Sequence, residues 1–174
     1  MYDGSKSKIS KNILTTNKIY KLSRKNNVML EAEIGPIHGN EDGFISSKKK
    51  LKDHELINFI KKAKYDLLAI GAGNTHGLSH SMNINKELYK IAVNLDKKIK
   101  LVFHGGSGVN KKFLKKIQKN NIVKINISSS LKKKMNMLYR SYTKKNKLYD
   151  SIQFNKYSEK DLIKFFCQYI KDYS

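Results

Sequence analysis

Cysteine, proline and arginine are almost missing from this chain, and no long apolar run occurs in it. A single cysteine, Cys167, excludes an internal disulfide and any cysteine-built zinc cage, so a metal would fall to histidine and carboxylate. Such thiol scarcity fits a reducing compartment, and the cytoplasm is the expected location. No stretch approaches the ~18 consecutive apolar residues of a membrane span. The opening Met1-Tyr2-Asp3-Gly4-Ser5-Lys6 lacks the apolar centre of a signal peptide. No membrane partner is expected. The only proline is Pro36, and neither an internal repeat nor a low-complexity tract beyond short lysine runs is visible.

Acidic residues are also few: 14 Asp and Glu stand against 36 Lys and Arg, for a net charge of +22. Clustered cations would release counterions from a polyanion, which points toward nucleic acid. The lysines, however, are spread along the chain in pairs such as Lys61-Lys62, Lys97-Lys98, Lys111-Lys112 and Lys115-Lys116, on what read as polar helix faces. Only Arg24 and Arg140 could make planar bidentate contacts. Lysine filling tolerant surface positions is the better reading, with weak, non-specific, salt-sensitive binding to nucleic acid as a side effect. At 174 residues and 39% hydrophobic, the chain can bury about 70% of its unfolded surface. A single domain over residues 1–174 is expected.

Short β-like runs alternate with segments of helical period, the pattern of βα units around a parallel sheet. Four strands are countable, at residues 28–34, 66–70, 99–103 and 122–127. A helix carrying Ile9, Ile13 and Tyr20 precedes the first strand, and a long polar loop, residues 35–52, follows it. Asp53 is placed to cap a helix bearing Leu56, Ile57, Ile60 and Ala63. Ile84, Leu88, Ile91, Ala92 and Leu95 give the cleanest helical spacing. Asn110 is placed to cap a helix with Phe113, Leu114 and Ile117. After the last strand, residues 131–142 read as helix and 143–156 as a polar connection. Ser158-Glu159-Lys160-Asp161 reads as the capping start of a terminal helix bearing Leu162, Phe166, Tyr169 and Ile170.

Two histidines carry the chemistry. His76, in Asn74-Thr75-His76-Gly77, and His104, in His104-Gly105-Gly106-Ser107-Gly108, each follow an apolar run and precede a glycine. Neighbouring strands lie about 4.8 Å apart, so imidazoles leaving the same rim can converge on one metal. A lone histidine is more often buried and satisfied by backbone; two in matching strand-end contexts favour a shared zinc. The glycines after His104, with the Ser107 hydroxyl, could let backbone amides cradle a phosphate, as could Ser128-Ser129-Ser130 after the next strand. Glu31 and Glu33 share one strand face. Two carboxylates on an apolar strand are costly to bury without a cation, so at least one should face a site unless both lie at an exposed strand end. Glu41-Asp42-Gly43 sits in the long loop, where it is either functional or an ordinary turn. Asn126 either orients a substrate oxygen or bonds nearby backbone, two equally good readings.

Taken in order and spacing, Leu30-Glu31-Ala32-Glu33-Ile34-Gly35, Gly39-Asn40-Glu41-Asp42-Gly43, Asn74-Thr75-His76-Gly77, Val102-Phe103-His104-Gly105-Gly106-Ser107-Gly108 and Lys124-Ile125-Asn126-Ile127 resemble the class II, zinc-dependent aldolases of fructose and tagatose bisphosphate. The opening Met1-Tyr2-Asp3-Gly4-Ser5 is similar to that family's segment at the end of its fourth strand. The resemblance implies an α/β fold, a partial (β/α)8 barrel holding strands five to eight, since a full barrel takes about 250 residues. It further implies zinc held by His76 and His104 with Glu33 nearby, and proton transfer by Glu41. Gly77, Gly105, Ser107 and Ser129 would then bind a ketose phosphate, and Asn126 the reacting three-carbon unit. Zinc would act as Lewis acid on the ketone.

Departures accompany the resemblance. The family's catalytic aspartate and third histidine lie on early strands outside this chain. Ser79 and His80 replace a frequent Tyr and Lys, Ser130 replaces an acid, and no phosphate-gripping arginine stands near Tyr149-Asp150-Ser151. A half barrel also exposes two sheet edges, so pairing with a second copy or with the missing N-terminal half is expected. The alternative function is a catalytically inactive basic binding module on an aldolase-derived scaffold.

Overall fold

The structure is a computed structural model that describes residues 1–37, 40, 41, 44, 45, 50–74, 84–145 and 150–173. In chain order its elements are β1 (Tyr2–Asp3), α1 (Ile9–Lys25), β2 (Glu31–Ile34), β3 (Asn40–Glu41), β4 (Phe44–Ile45), α2 (Asp53–Lys62), β5 (Leu67–Ile70), α3 (Lys86–Leu95), β6 (Leu101–Phe103), a 3-10 turn (Gly106–Gly108), α4 (Lys111–Gln118), β7 (Ile122–Ile125), α5 (Ser129–Lys145) and α6 (Ser151–Tyr173).

Five strands form one sheet in the order β1-β2-β5-β6-β7, every neighbouring pair parallel. The fifth strand is Tyr2–Asp3, too short to show as a periodic run and readable beforehand only through the likeness of the opening segment to a barrel strand end. Register then sorts the faces. Ala32, Ile34, Leu68, Ile70, Leu101 and Phe103 lie on one face and pack with Leu56, Phe59, Leu88, Tyr89, Ala92 and Ile117 from α2, α3 and α4 to make the main core. The opposite face carries the row Asp3, Glu33, Ala69, Val102 and Lys124, set side by side by the strand register. A parallel sheet with one face covered by helices and the other turned inward is the arrangement of a barrel wall. The sequence expectation of a partial α/β barrel is met.

Several boundaries move. Val28 and Met29 stand exposed, so β2 is limited to Glu31–Ile34. The loop at 35–52 contains a small antiparallel pair, Asn40 opposite Ile45 and Glu41 opposite Phe44. Asp53 is the first helical residue of α2 rather than its cap: the Lys52 N–H is met by the Glu55 carboxylate at 3.0 Å. Asn110 caps α4 as expected, accepting from the Lys112 N–H at 2.8 Å. The terminal helix starts seven residues earlier than Ser158, because Asp150 Oδ1 accepts from the N–H groups of Ile152 (2.8 Å) and Gln153 (3.2 Å). Ser158 lies buried inside α6 and donates to the Asn155 carbonyl. The apolar stripe of α6 is mostly uncovered: Phe166 and Ile170 are exposed and line an open groove beside β7 with Ile122, Val123 and Ile127. A second small cluster, Leu138, Tyr142 and Phe154, joins α5 to α6.

One of the two arginines belongs to the scaffold. Arg24, in the last turn of α1, bonds the Asp66 carboxylate at 2.6 Å and the Val28 carbonyl at 2.8 Å, while Asp66 also accepts from the Leu30 N–H at 2.7 Å. No helix of the described residues is long and apolar enough to cross a membrane.

Candidate active site

The site lies at the carboxyl ends of the parallel strands, the rim where barrel enzymes carry their chemistry. His104 follows β6 directly and is 5% exposed. Its Nε2 lies 2.9 Å from Glu31 Oε1 and its Nδ1 lies 3.6 Å from Glu33 Oε2. Both carboxylates are buried, so neither lies at an exposed strand end. Lys124 Nζ sits 2.6 Å from the other Glu31 oxygen. Burial alone would raise the Glu31 carboxyl, but the hydrogen bonds from Lys124 and His104 outweigh it and hold its pKa below the ordinary carboxylate value. The α1 helix steadies the same strand, its buried Asn12 donating to the Glu33 carbonyl at 2.9 Å.

Asn74 ties the loop after β5 to this centre. It is fully buried, accepts from the Ala72 N–H and donates to the His104 carbonyl, each at 2.9 Å. The chain therefore touches the His104 backbone two residues before His76. His76, Gly77, Ser79 and His80 themselves lie outside the described residues, as do Asp42, Gly43 and Tyr149. Glu41 is placed by its backbone in β3.

The two serine groups flagged in the sequence meet at one spot. Ser107 Oγ accepts from the Ser128 N–H at 3.0 Å and from the Ser130 hydroxyl at 3.1 Å. Ser129 opens α5, a 17-residue helix with no acidic residue in its first turn, so its positive end is left for an anion. Gly105 adopts φ +76°, open to glycine at little cost. Gly106 is engaged otherwise than as a phosphate donor: its N–H bonds the Asn126 carbonyl at 2.9 Å. A Cβ there would come within 2.6 Å of the Ile125 methyl. Asn126 in turn donates its N–H to the Phe103 carbonyl at 2.8 Å, so its backbone stitches β6 to β7 at the rim and leaves its side chain half-buried.

Sequence reasoning missed Lys124 and assigned no role to Asn74. Lys124 resembles any other surface lysine in the chain, and only the pairing of β7 reveals its direction. Asn74 was quoted for its place before His76, and its buried double bond needs three-dimensional contacts to be seen.

Among the described residues, no three His, Cys, Asp or Glu side chains gather as a metal cage. The donors that are present nevertheless suit zinc. Two ligands about 2.0–2.1 Å from one zinc lie roughly 3.3 Å apart at a tetrahedral angle. The 3.6 Å between His104 Nδ1 and Glu33 is near that span and longer than a hydrogen bond. Glu31 on the far side of the ring is the outer carboxylate that metal-bound histidines usually have.

Parallel strands alternating with helices, with polar side chains gathered at the strand ends, define a scaffold of the (β/α)-barrel enzyme class. The whole chain, residues 1–174, matches the class II fructose-bisphosphate aldolases, and the protein belongs to that family. It is 32% identical over 175 residues to a fructose-bisphosphate aldolase of Mycoplasma pneumoniae, covering 99% of this chain and 59% of that protein. It is 36% identical over 152 residues to a class 2 fructose-bisphosphate aldolase of Buchnera aphidicola, covering 75% and 42%. A 6-phospho-5-dehydro-2-deoxy-D-gluconate aldolase of Halalkalibacterium halodurans is 34% identical over 110 residues, covering 63% and 38%. The fold is shared with the YdjI aldolase of Escherichia coli K12, at TM-score 0.75 and 21% identity over 100% of this chain and 59% of the other. Fructose-bisphosphate aldolase of Campylobacter jejuni matches at TM-score 0.73 and 23% identity over 98% and 58%. The chain thus spans less than two thirds of the relatives it matches.

Proposed function

We propose that the chain supplies the metal-binding and phosphate-binding part of an aldolase that breaks or forms a carbon-carbon bond in a phosphorylated ketose such as fructose bisphosphate. The observation that carries this reading is the buried His104, clamped between Glu31 and Glu33 beside the joined serines at the start of α5. His104 and Glu33, with His76, would hold zinc. Bound zinc would supply Lewis-acid polarisation of the ketose carbonyl. Ser107, Ser128, Ser129 and the first-turn amides of α5, with Gly77 and Gly105, would grip the phosphate. Asn126 would orient the three-carbon unit, and Glu41 would move the proton at its reacting carbon. The cytoplasm is the proposed location.

Closure of the barrel is part of the proposal. Five strands leave β1 and β7 as open edges, and further parallel strands, from a second copy or from the part of the barrel that this chain does not span, would complete the wall.

Metal analysis tests the reading directly. The purified chain should retain close to one zinc, and His76→Ala/His104→Ala should lose it while keeping its circular dichroism. Equal metal in both proteins, or none in either, defeats the proposal. Zinc-free chain that still binds oligonucleotides with a steep salt dependence would establish the basic-module alternative instead.

A further inference from the structure

The lysines are spread along the chain, but the acids are not. Residues 97–149 hold 16 Lys and Arg and no Asp or Glu, so that stretch carries +16 of the net +22. Among the described residues, Lys124 and Lys134 are the only lysines in it with an ion-pair partner. A solvated helix face ordinarily mixes the two signs, because opposite charges at i,i+3 and i,i+4 support a helix and like charges weaken it. On α4, Lys112, Lys115, Lys116 and Lys119 follow that spacing with one sign throughout, and all four are exposed. Lys111 and Lys112 moreover open the helix, at the positive end of its dipole, where a cation is unfavourable. Helix formation gains nothing from this arrangement.

The basic patch continues beyond the helix. Asn121, two residues past Lys119, donates its side-chain amide to the Lys97 carbonyl at 2.9 Å, and its own carbonyl accepts from the Leu101 N–H at 2.9 Å. Lys97 and Lys98, both exposed, are thus held at the end of the lysine stripe, and Asp96 beside them is tied to the Lys98 N–H at 2.9 Å. These contacts lie where β6 and β7 begin, on the opposite rim from His104. On its other face α4 packs Phe113 and Ile117 into the core, so its apolar side serves the fold, unlike that of a helix lying in a lipid surface. Ammonium groups are point charges suited to phosphate, whereas carboxylates of an acidic protein are gripped best by the paired donors of arginine, and α4 carries no arginine. We propose that the lysine face of α4, with Lys97 and Lys98 at its end, docks the phosphate backbone of a nucleic acid. The surface is separate from the strand-end site and does not depend on what that site holds.

The test is fluorescence anisotropy of a labelled uridine oligomer of about 20 nucleotides, titrated with the full chain at salt from about 50 to 250 mM. Each phosphate contact on a single strand contributes about −0.7 to the slope of log K against log salt. Changing Lys112, Lys115, Lys116 and Lys119 together to Gln should therefore flatten the slope by about 2–3 and weaken binding at low salt by about 100-fold or more. Changing Lys11, Lys18, Lys21 and Lys25 to Gln removes the same charge from α1, beside β1 and β2 at the other end of the sheet. That variant should lose less than about threefold, because charges beyond a Debye length are screened. Lys115→Gln with Lys116→Gln serves if the fourfold α4 variant does not fold, and should give about half its slope change. Equal losses in the α4 and α1 variants would show that net charge alone binds and would overturn the surface, as would no binding at the lowest salt. Polyglutamate or phosphatidylserine vesicles bound as tightly as the oligomer would overturn the assignment to nucleic acid. Zinc content is read separately, so failure here and failure of the aldolase reading are distinguishable.

Discussion

Asn74→Ala isolates the contact that ties the chain after β5 to the His104 backbone. Asn74 is fully buried and bonds two backbone groups, the Ala72 N–H and the His104 carbonyl. Truncation leaves the Ala72 N–H its second acceptor, the Ile70 carbonyl at 3.0 Å, and takes the Asn74 amide donor from the His104 carbonyl. One buried group stranded in this way costs about 1–3 kcal/mol, a sizeable part of the 5–15 kcal/mol typical of a folded domain. With a urea slope near 2 kcal/mol per molar, the unfolding midpoint should fall by roughly 0.5–1.5 M. Asn74→Asp refines the argument. The new carboxylate can still accept from Ala72 but sets an oxygen against the His104 carbonyl, so at neutral pH it should be no more stable than the alanine variant. Its folded pKa must then be raised, so protonation supplies a donor and stability recovers as pH falls below that value. An Asn74→Ala midpoint within about 0.25 M of the original would refute the anchoring argument.

Gly106→Ala should lower stability by about 1–3 kcal/mol, because the added methyl meets Ile125 at 2.6 Å and the Asn126 carbonyl at 3.0 Å; an unchanged melting temperature would contradict that packing. Asp150→Ala should weaken the start of α6 by about 1 kcal/mol, read as lost helical circular dichroism and faster amide exchange at Ile152 and Gln153, and unchanged exchange there would exclude Asp150 as the cap. Burial pushes the Tyr89 phenol well above its ordinary pKa of 10.0, so above that pH the unfolded chain releases a proton that the folded chain keeps, and stability falls as pH rises. Tyr89→Phe removes that contribution, up to about 1.4 kcal/mol per pH unit, and gives up only a long 3.4 Å bond to the Ile70 carbonyl; urea midpoints from pH 9 to pH 11 that decline equally in both proteins would remove Tyr89 from the account.

Four of the five strands were legible because each falls in a short run rich in apolar residues that helices cover on one face, and the period change from two to 3.6 separates strand from helix even where the ends moved. Two residues, Tyr2 and Asp3, carry too little period to be seen. Asp150 was passed over as a cap because Ser158-Glu159 matches the capping pattern better on paper, yet a helix starts where amides first find an acceptor. At the site, the spacing of Glu31 and Glu33 did locate a polar strand face. His104 and Ser107 were legible from their place after a strand. The meeting of Ser107 with Ser128 and Ser130 was not, since it joins residues more than twenty positions apart. Least legible was Lys124, because a bulge changes which face a residue takes and leaves no composition signal behind.

The inner face explains itself poorly as architecture. A sheet whose helix-covered side already holds the core gains nothing in stability from two buried carboxylates and an imidazole on the other, where apolar side chains of similar size would serve as well or better. Ala69 and Val102, fully buried on that same face, show that apolar residues are accommodated there. Against the burial of Glu31, Lys124 and His104 together hold its carboxyl below the ordinary value, and a bulged strand brings Lys124 to that face. Local rules of patterning are thus broken on three strands of one sheet, β2, β6 and β7, toward one point, the His104 ring. Where several such violations converge, the compensation has to come from what the group binds or does, and in this fold that point is the carboxyl-end rim at which a barrel enzyme meets its substrate.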